Sequence, residues 1–264
     1  MSDDKPSAKP GKDATTRRSL SQTVVRSQVE VGRPYNEYKP QLRFDFFYSC
    51  AYCTMTEAEA QAVRLLIDHY EPVAGRPDLA NVYENLMYAC EECNLRKGDR
   101  CPPPEAREQG KRFFRIDKEP RSEHFRLEGN ELVGLTETGK FTILMLDLNR
   151  ASLRRLRDLR QKLYNYEGYA GDGIMALANF AIDRLTPELR LQALTAIRKI
   201  LKTADEVFEH FDELLIEFAK SAVLADEMTD DEKKRNKDRL AKIKEMEGLL
   251  PGNWRGRKNK GKRH

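Results

Sequence analysis

Apolar positions fall into short runs before about residue 148 and into helical stripes after it. Leu65-Leu66-Ile67 is a brief apolar run of the length a buried strand needs, and Asn85 to Ala89 is a second. Gly75-Arg76-Pro77-Asp78 between them reads as a turn. Cys93 to Lys97 then predicts a helix start, with Gly98 placed to close it. The order is strand, loop, strand, helix. Further on, Phe125-Arg126-Leu127 and Leu132 to Leu135 flank Glu128-Gly129-Asn130, which predicts a hairpin. Phe141 to Leu146 predicts another strand. From Asn149, a plausible N-cap, the spacing of Leu153, Leu156, Leu159 and Leu163 gives a helical stripe. Tyr164 to Gly173 breaks that pattern. Three more helices are expected: one opening at Thr186-Pro187, one carrying Val207, Phe208, Phe211, Leu214, Leu215, Phe218 and Ala222 on a core face, and one capped by Thr229-Asp230-Asp231-Glu232.

A chain of 264 residues holds one or two domains. Residues 1–39 are polar and aperiodic and read as a disordered arm. The periodicity divides the rest into 40–148, a helical region 149–250 and a basic tail 251–264 expected to be disordered. The formal net charge of +4 comes largely from that tail, where Arg255 to His264 carries six Lys and Arg and no acid. Overall basicity is therefore weak evidence for a nucleic-acid partner. The N-terminus is polar and no apolar run reaches membrane-spanning length, so a cytoplasmic protein with reduced thiols is expected and no membrane partner.

In that setting cysteine pairs point to metal before disulfides. Cys50-Ala51-Tyr52-Cys53 and Cys90-Glu91-Glu92-Cys93 are two Cys-x-x-Cys knuckles. A two-residue spacer lets both sulfurs of a knuckle reach one ion, and two knuckles fill the tetrahedron of a structural zinc. The strand-loop-strand segment inserted between them is too small to bury much core alone, which gives a zinc staple its physical reason. Cys101 is left over, an ordinary thiol before a proline run.

The inserted segment carries Asp68-His69, Asn85 and, directly after the last cysteine, Asn94. Asp68 and Asn94 offer hard oxygen ligands suited to Mg²⁺ or Mn²⁺. A neutral His69 beside them can take a proton from water, and a second asparagine carbonyl, Asn85, can fix its tautomer. Together they suit a one-metal phosphodiester hydrolysis.

Read in order, Cys-x-x-Cys, Asp-His-x-x-Pro, Asn-Leu and Cys-x-x-Cys-Asn-x-x-Lys-Gly, the segment Phe44 to Asp99 resembles the HNH endonuclease family. The resemblance implies an α+β fold: a zinc-stapled ββα-metal core followed by a mainly α-helical C-terminal region. It implies His69 as general base, Asn85 as its orienting residue, Asp68 and Asn94 as ligands of a catalytic Mg²⁺ or Mn²⁺, and Cys50, Cys53, Cys90 and Cys93 as ligands of one structural Zn²⁺. Tyr70 and Glu71 stand where the family more usually has aliphatic residues. Arg96 and Lys97, with Arg150, Arg154 and Arg157 on the first C-terminal helix, are the candidate phosphate contacts. The expected activity is metal-dependent endonuclease cleavage, most directly of DNA, in a bacterial restriction or anti-phage role. The helical region would dock an ATPase or sensor partner or mediate self-association. Two alternatives stay open: an inactive zinc-stapled nucleic-acid-binding adaptor, and RNA as substrate, because such a site does not read the sugar by itself.

Overall fold

The computed structural model describes residues 23–60, 63–158, 160–161, 229–250 and 252–256, with parts of a helix between 186 and 202. Its centre is an antiparallel pair, β1 (Leu65–His69) and β2 (Leu86–Cys90), in the register Leu65↔Cys90 to His69↔Leu86. All five β2 residues are buried, as expected of an unbroken apolar run covered on both faces. Short helices α1 (Lys39–Asp45) and α2 (Glu57–Ala60) precede the pair. Helix α3 (Glu91–Lys97) follows β2 without a linker and packs on both strands. It ends at Gly98, whose φ of +54° few side-chain-bearing residues adopt.

Helices α4 (Pro104–Glu108) and α5 (Arg121–His124) lead to the hairpin β3 (Phe125–Glu128) and β4 (Glu131–Gly134), which forms where the turn residues placed it. The run Phe141 to Leu146 is not a strand. It is the body of helix α6 (Glu137–Leu146). An unalternated apolar run does not distinguish the two states. Here the Thr136 hydroxyl caps the helix by accepting from the Gly139 amide, and the burial of Phe141, Thr142, Met145 and Leu146 is helical in spacing. A Cβ at Gly139 would sit 2.1 Å from the His124 carbonyl oxygen, so only glycine lets α6 lie this close to α5.

Both ends of the chain depart from expectation. Residues 23–38 are a strap across the core, not part of a disordered arm. Val24 is buried and its amide donates to the Ile116 carbonyl. The Arg26 guanidinium bonds Asp117 and the carbonyls of Tyr83 and Leu86, and Ser27 binds the buried Asp45 carboxylate. The anchors Val24, Arg26 and Ser27 follow neither a helical nor a strand period, so this fastening left no signal in the sequence.

At the other end, the described parts of 149–158 and 229–250 pack on the same core. The first helix, over 151–158, buries Leu153 and Leu156 there. Asn149 does not cap that helix; its amide pairs with the backbone of Leu132 on β4. The last helix, Asp230–Leu249, opens on the expected capping box and buries Ile243 against the same core. Arg239 reaches the Leu144 carbonyl of α6. Residues 252–256, assigned to a disordered tail, also dock: Trp254 stacks on Phe141, its carbonyl accepts from Cys101, and the Gly256 amide donates to Asp99. The Thr186-Pro187 helix start is observed, whereas Leu159, Leu163 and the stripe Val207 to Ala222 lie outside the described residues.

Candidate active site and metal centre

The two knuckles meet at the Leu65–Cys90 end of the β1–β2 pair. The Cys50 amide donates to Met55, Thr54 donates back to Cys50, and the Ala51 amide donates to Tyr88 of β2, so the first knuckle is clamped to the strand that delivers the second. The sulfurs of Cys50, Cys53, Cys90 and Cys93 lie within 4.8 Å of one another, and all four residues are buried. Such crowded thiols cannot all ionise unaided. Hydrogen bonds from its three neighbours hold the Cys53 thiol well below its usual value, while the same contacts push Cys93 well above it. A divalent cation removes this conflict by binding all four as thiolates, so the donor set fits zinc. Cys101 stands apart, donating to Glu71 and accepting from Arg107.

At the far end of β1, Asp68 and His69 emerge beside α3. The Asp68 carboxylate is 3% exposed. One oxygen accepts from the Tyr52 hydroxyl at 2.6 Å, the other from Lys97 Nζ at 2.9 Å. Burial, then the Asp68 charge, push the Tyr52 phenol up, which keeps it the donor. Lys97 Nζ also donates to the His69 carbonyl at 2.6 Å. Asn94 lies one turn before Lys97 on the same side of α3.

His69 Nε2 lies 2.8 Å from the Ala80 carbonyl. A carbonyl only accepts, so Nε2 carries the hydrogen and the lone pair of the neutral ring is on Nδ1. The Tyr35 ring meets the imidazole edge-on, with centroids 5.0 Å apart. The Asn85 side chain spends its hydrogen bonds elsewhere than on His69. It accepts from the Glu71 amide and donates to the carbonyls of Glu71 and Leu79, pinning the loop whose next residue, Ala80, holds the imidazole. Ala80 and Tyr35 were not legible as site residues. One acts through its backbone, and the other lies far off in sequence within a polar stretch.

Residues 50–100 match the family model described as HNH endonuclease. The chain carries an HNH domain. No curated protein matches the chain. The HNH segment runs from the first zinc-knuckle cysteine to just beyond α3, so it contains both the thiolate cluster and the Asp68–His69 end of β1.

The candidate phosphate contacts are all occupied by protein. Lys97 is fully buried on Asp68. Arg96 pairs with Glu92 at 2.9 Å and Asp147 at 3.3 Å. Arg150 is buried over the four-cysteine cluster, with both terminal nitrogens 3.9 Å from Cys93 Sγ and Nε 2.7 Å from Glu92. Burial opposes its charge, but Cys93 and Glu92 outweigh it and the guanidinium stays charged. Arg157 bonds the carbonyls of Leu148 and Asn130; burial, then Arg121, push it down to about 10. Arg154 is spent on the Asn149 carbonyl and Glu232. Arg150 thus braces the four-cysteine cluster, whereas Arg154 and Arg157 tie the first C-terminal helix to its neighbours, and a helical spacing of arginines does not distinguish such uses from a phosphate-facing one.

Proposed function

We propose that the chain is a divalent-metal-dependent endonuclease that hydrolyses phosphodiester bonds, with DNA the favoured substrate. The observation that carries this reading is the Nε2–H of His69 committed to the Ala80 carbonyl, which leaves Nδ1 as the basic nitrogen at the end of β1. His69 Nδ1 would take the proton from the attacking water. Asp68 and Asn94 are the residues to hold Mg²⁺ or Mn²⁺. Their hard oxygens suit such an ion, and each Asp68 oxygen retains a lone pair beyond its bond to Tyr52 or Lys97. When bound, the ion supplies charge stabilisation for the phosphorane-like transition state and the leaving oxygen. Asn85 would act on the base at one remove, by fixing the loop that presents the Ala80 carbonyl. No helix among the described residues is long and apolar enough to cross a membrane.

The test is cleavage of supercoiled plasmid, single-stranded DNA and RNA with Mn²⁺ or Mg²⁺, with and without EDTA. His69→Ala should lose about 10²–10⁴-fold in rate while folding and nucleic-acid binding persist. Full activity in that variant would end the assignment. Binding without cleavage under any metal would favour an adaptor. A restriction or anti-phage role rests on the family resemblance, and the neighbouring genes test it: a methyltransferase would mark restriction, an ATPase a defence assembly.

Because the domain's own arginines are paired internally, phosphate attraction would come in part from the five Lys and Arg after Gly256. Removing residues 257–264, which spares the docked Trp254 to Gly256, should weaken DNA binding. It should also flatten the salt dependence, by about 0.9 in slope for each phosphate the tail no longer neutralises. Unchanged affinity and slope would make the tail a passenger.

A further inference from the structure

The strap 23–38 ends beside the candidate base. Val24, Arg26 and Ser27 fasten its first part to the core through Ile116, Asp117 and Asp45. Its far end forms a short 3-10 turn, Tyr35–Tyr38, and Tyr38 is buried against Tyr83. Tyr35 itself is 43% exposed, so core burial does not explain its ring. The ring lies against His69, 5.0 Å between centroids at 64°. The Tyr35 amide donates to Asn81 Oδ1 at 3.0 Å, one residue beyond the carbonyl that accepts from His69 Nε2. The imidazole is thus held twice: by a hydrogen bond from the 80–81 loop, and by a ring tethered to that same loop. A single hydrogen bond leaves the ring free to tilt about it, and an edge-on aromatic contact removes that freedom.

We propose that Tyr35 is a positioning residue for His69, and that the strap's role is to complete the active site by delivering it. This rests on the reading of His69 as the base. A base contributes only when its lone pair is aimed at the reacting proton, and small misplacements are costly in rate. The aromatic ring is the part that acts, so the hydroxyl is dispensable.

The experiment uses the full chain, Tyr35→Ala and Tyr35→Phe, with two readouts. Long-range ¹⁵N–¹H correlation of the His69 ring at a pH where it is neutral reports the tautomer. The native protein and Tyr35→Phe should show the Nε2–H form, and Tyr35→Ala a mixed pattern. Plasmid cleavage with Mn²⁺ should show kcat lowered on the order of 10–100-fold in Tyr35→Ala, with KM and thermal midpoint near native and with recovery in Tyr35→Phe. Asn81→Ala should move both readouts the same way, and combining it with Tyr35→Ala should add little, because the two form one tether. A native tautomer pattern, or native kcat, in Tyr35→Ala overturns the proposal, as does a lowered thermal midpoint with kcat unchanged. His69→Ala separates the two levels. If it cleaves normally, the base assignment fails, while the tautomer readout still judges the contact.

Discussion

Stripping the zinc, or replacing Cys90 with Ala, is expected to unfold the 50–100 segment and the packing built on it. Four buried sulfurs within 4.8 Å of one another join the knuckle before β1 to the junction of β2 and α3. The two-stranded pair they clamp is too small to persist alone in water. Structural zinc of this kind contributes on the order of 10 kcal/mol, comparable to the whole stability of a domain. Loss should extend beyond the knuckles. Arg150 is buried over Cys93 and Glu92, and losing the thiolates leaves its guanidinium short of negative partners inside the protein. The helix over 151–158 should loosen with it. Circular dichroism and elemental analysis after chelation check this, with zinc returning one equivalent and the native spectrum together. A folded, active, zinc-free protein would contradict it.

The strands, the helix and the knuckles were legible because each rests on local spacing: apolar runs of strand length, paired cysteines, and a glycine at a helix end. Phe141 to Leu146 was misread for the same reason. Its helix is decided by the Thr136 cap and by burial against the rest of the core, and neither shows in an unbroken apolar run. Long-range partners were the larger gap. A sequence does not reveal that Arg26 spans to Tyr83 and Leu86, that Trp254 returns to Phe141, or that Arg150 faces sulfur and not phosphate. The candidate site shows both sides. Asp68, His69, Asn85 and Asn94 could be singled out from motif order. The groups that hold His69, a backbone carbonyl and a tyrosine 34 positions upstream, could not. Asn85 was expected to meet the imidazole directly, yet the loop between them takes its hydrogen bonds.

Lys97→Met is expected to cost about 3–5 kcal/mol of stability, the usual effect of breaking a buried ion pair from one side. Lys97 is 0% exposed and Asp68 3%, and the ammonium spans Asp68 Oδ1 and the His69 carbonyl. Methionine keeps the unbranched stem, so little packing volume is lost, although the ammonium that lies 5.8 Å over the Phe113 ring goes with the charge. What remains is a buried carboxylate with Tyr52 as its one hydrogen-bond donor among the described residues, and a His69 carbonyl deprived of the Lys97 ammonium. The double variant Lys97→Met/Asp68→Asn removes both charges and should regain most of the loss, because the penalty lies in the unpaired charge more than in the missing attraction. Urea unfolding of the four proteins, native, each single variant and the double, gives the pair's coupling energy directly. The single Lys97→Met variant should be the least stable of the set. If it matches the native protein, Lys97 is not what compensates the buried Asp68 carboxylate. The carboxylate would then have to draw its compensation from elsewhere in the site, and a bound divalent cation retained through purification is the first candidate to assay.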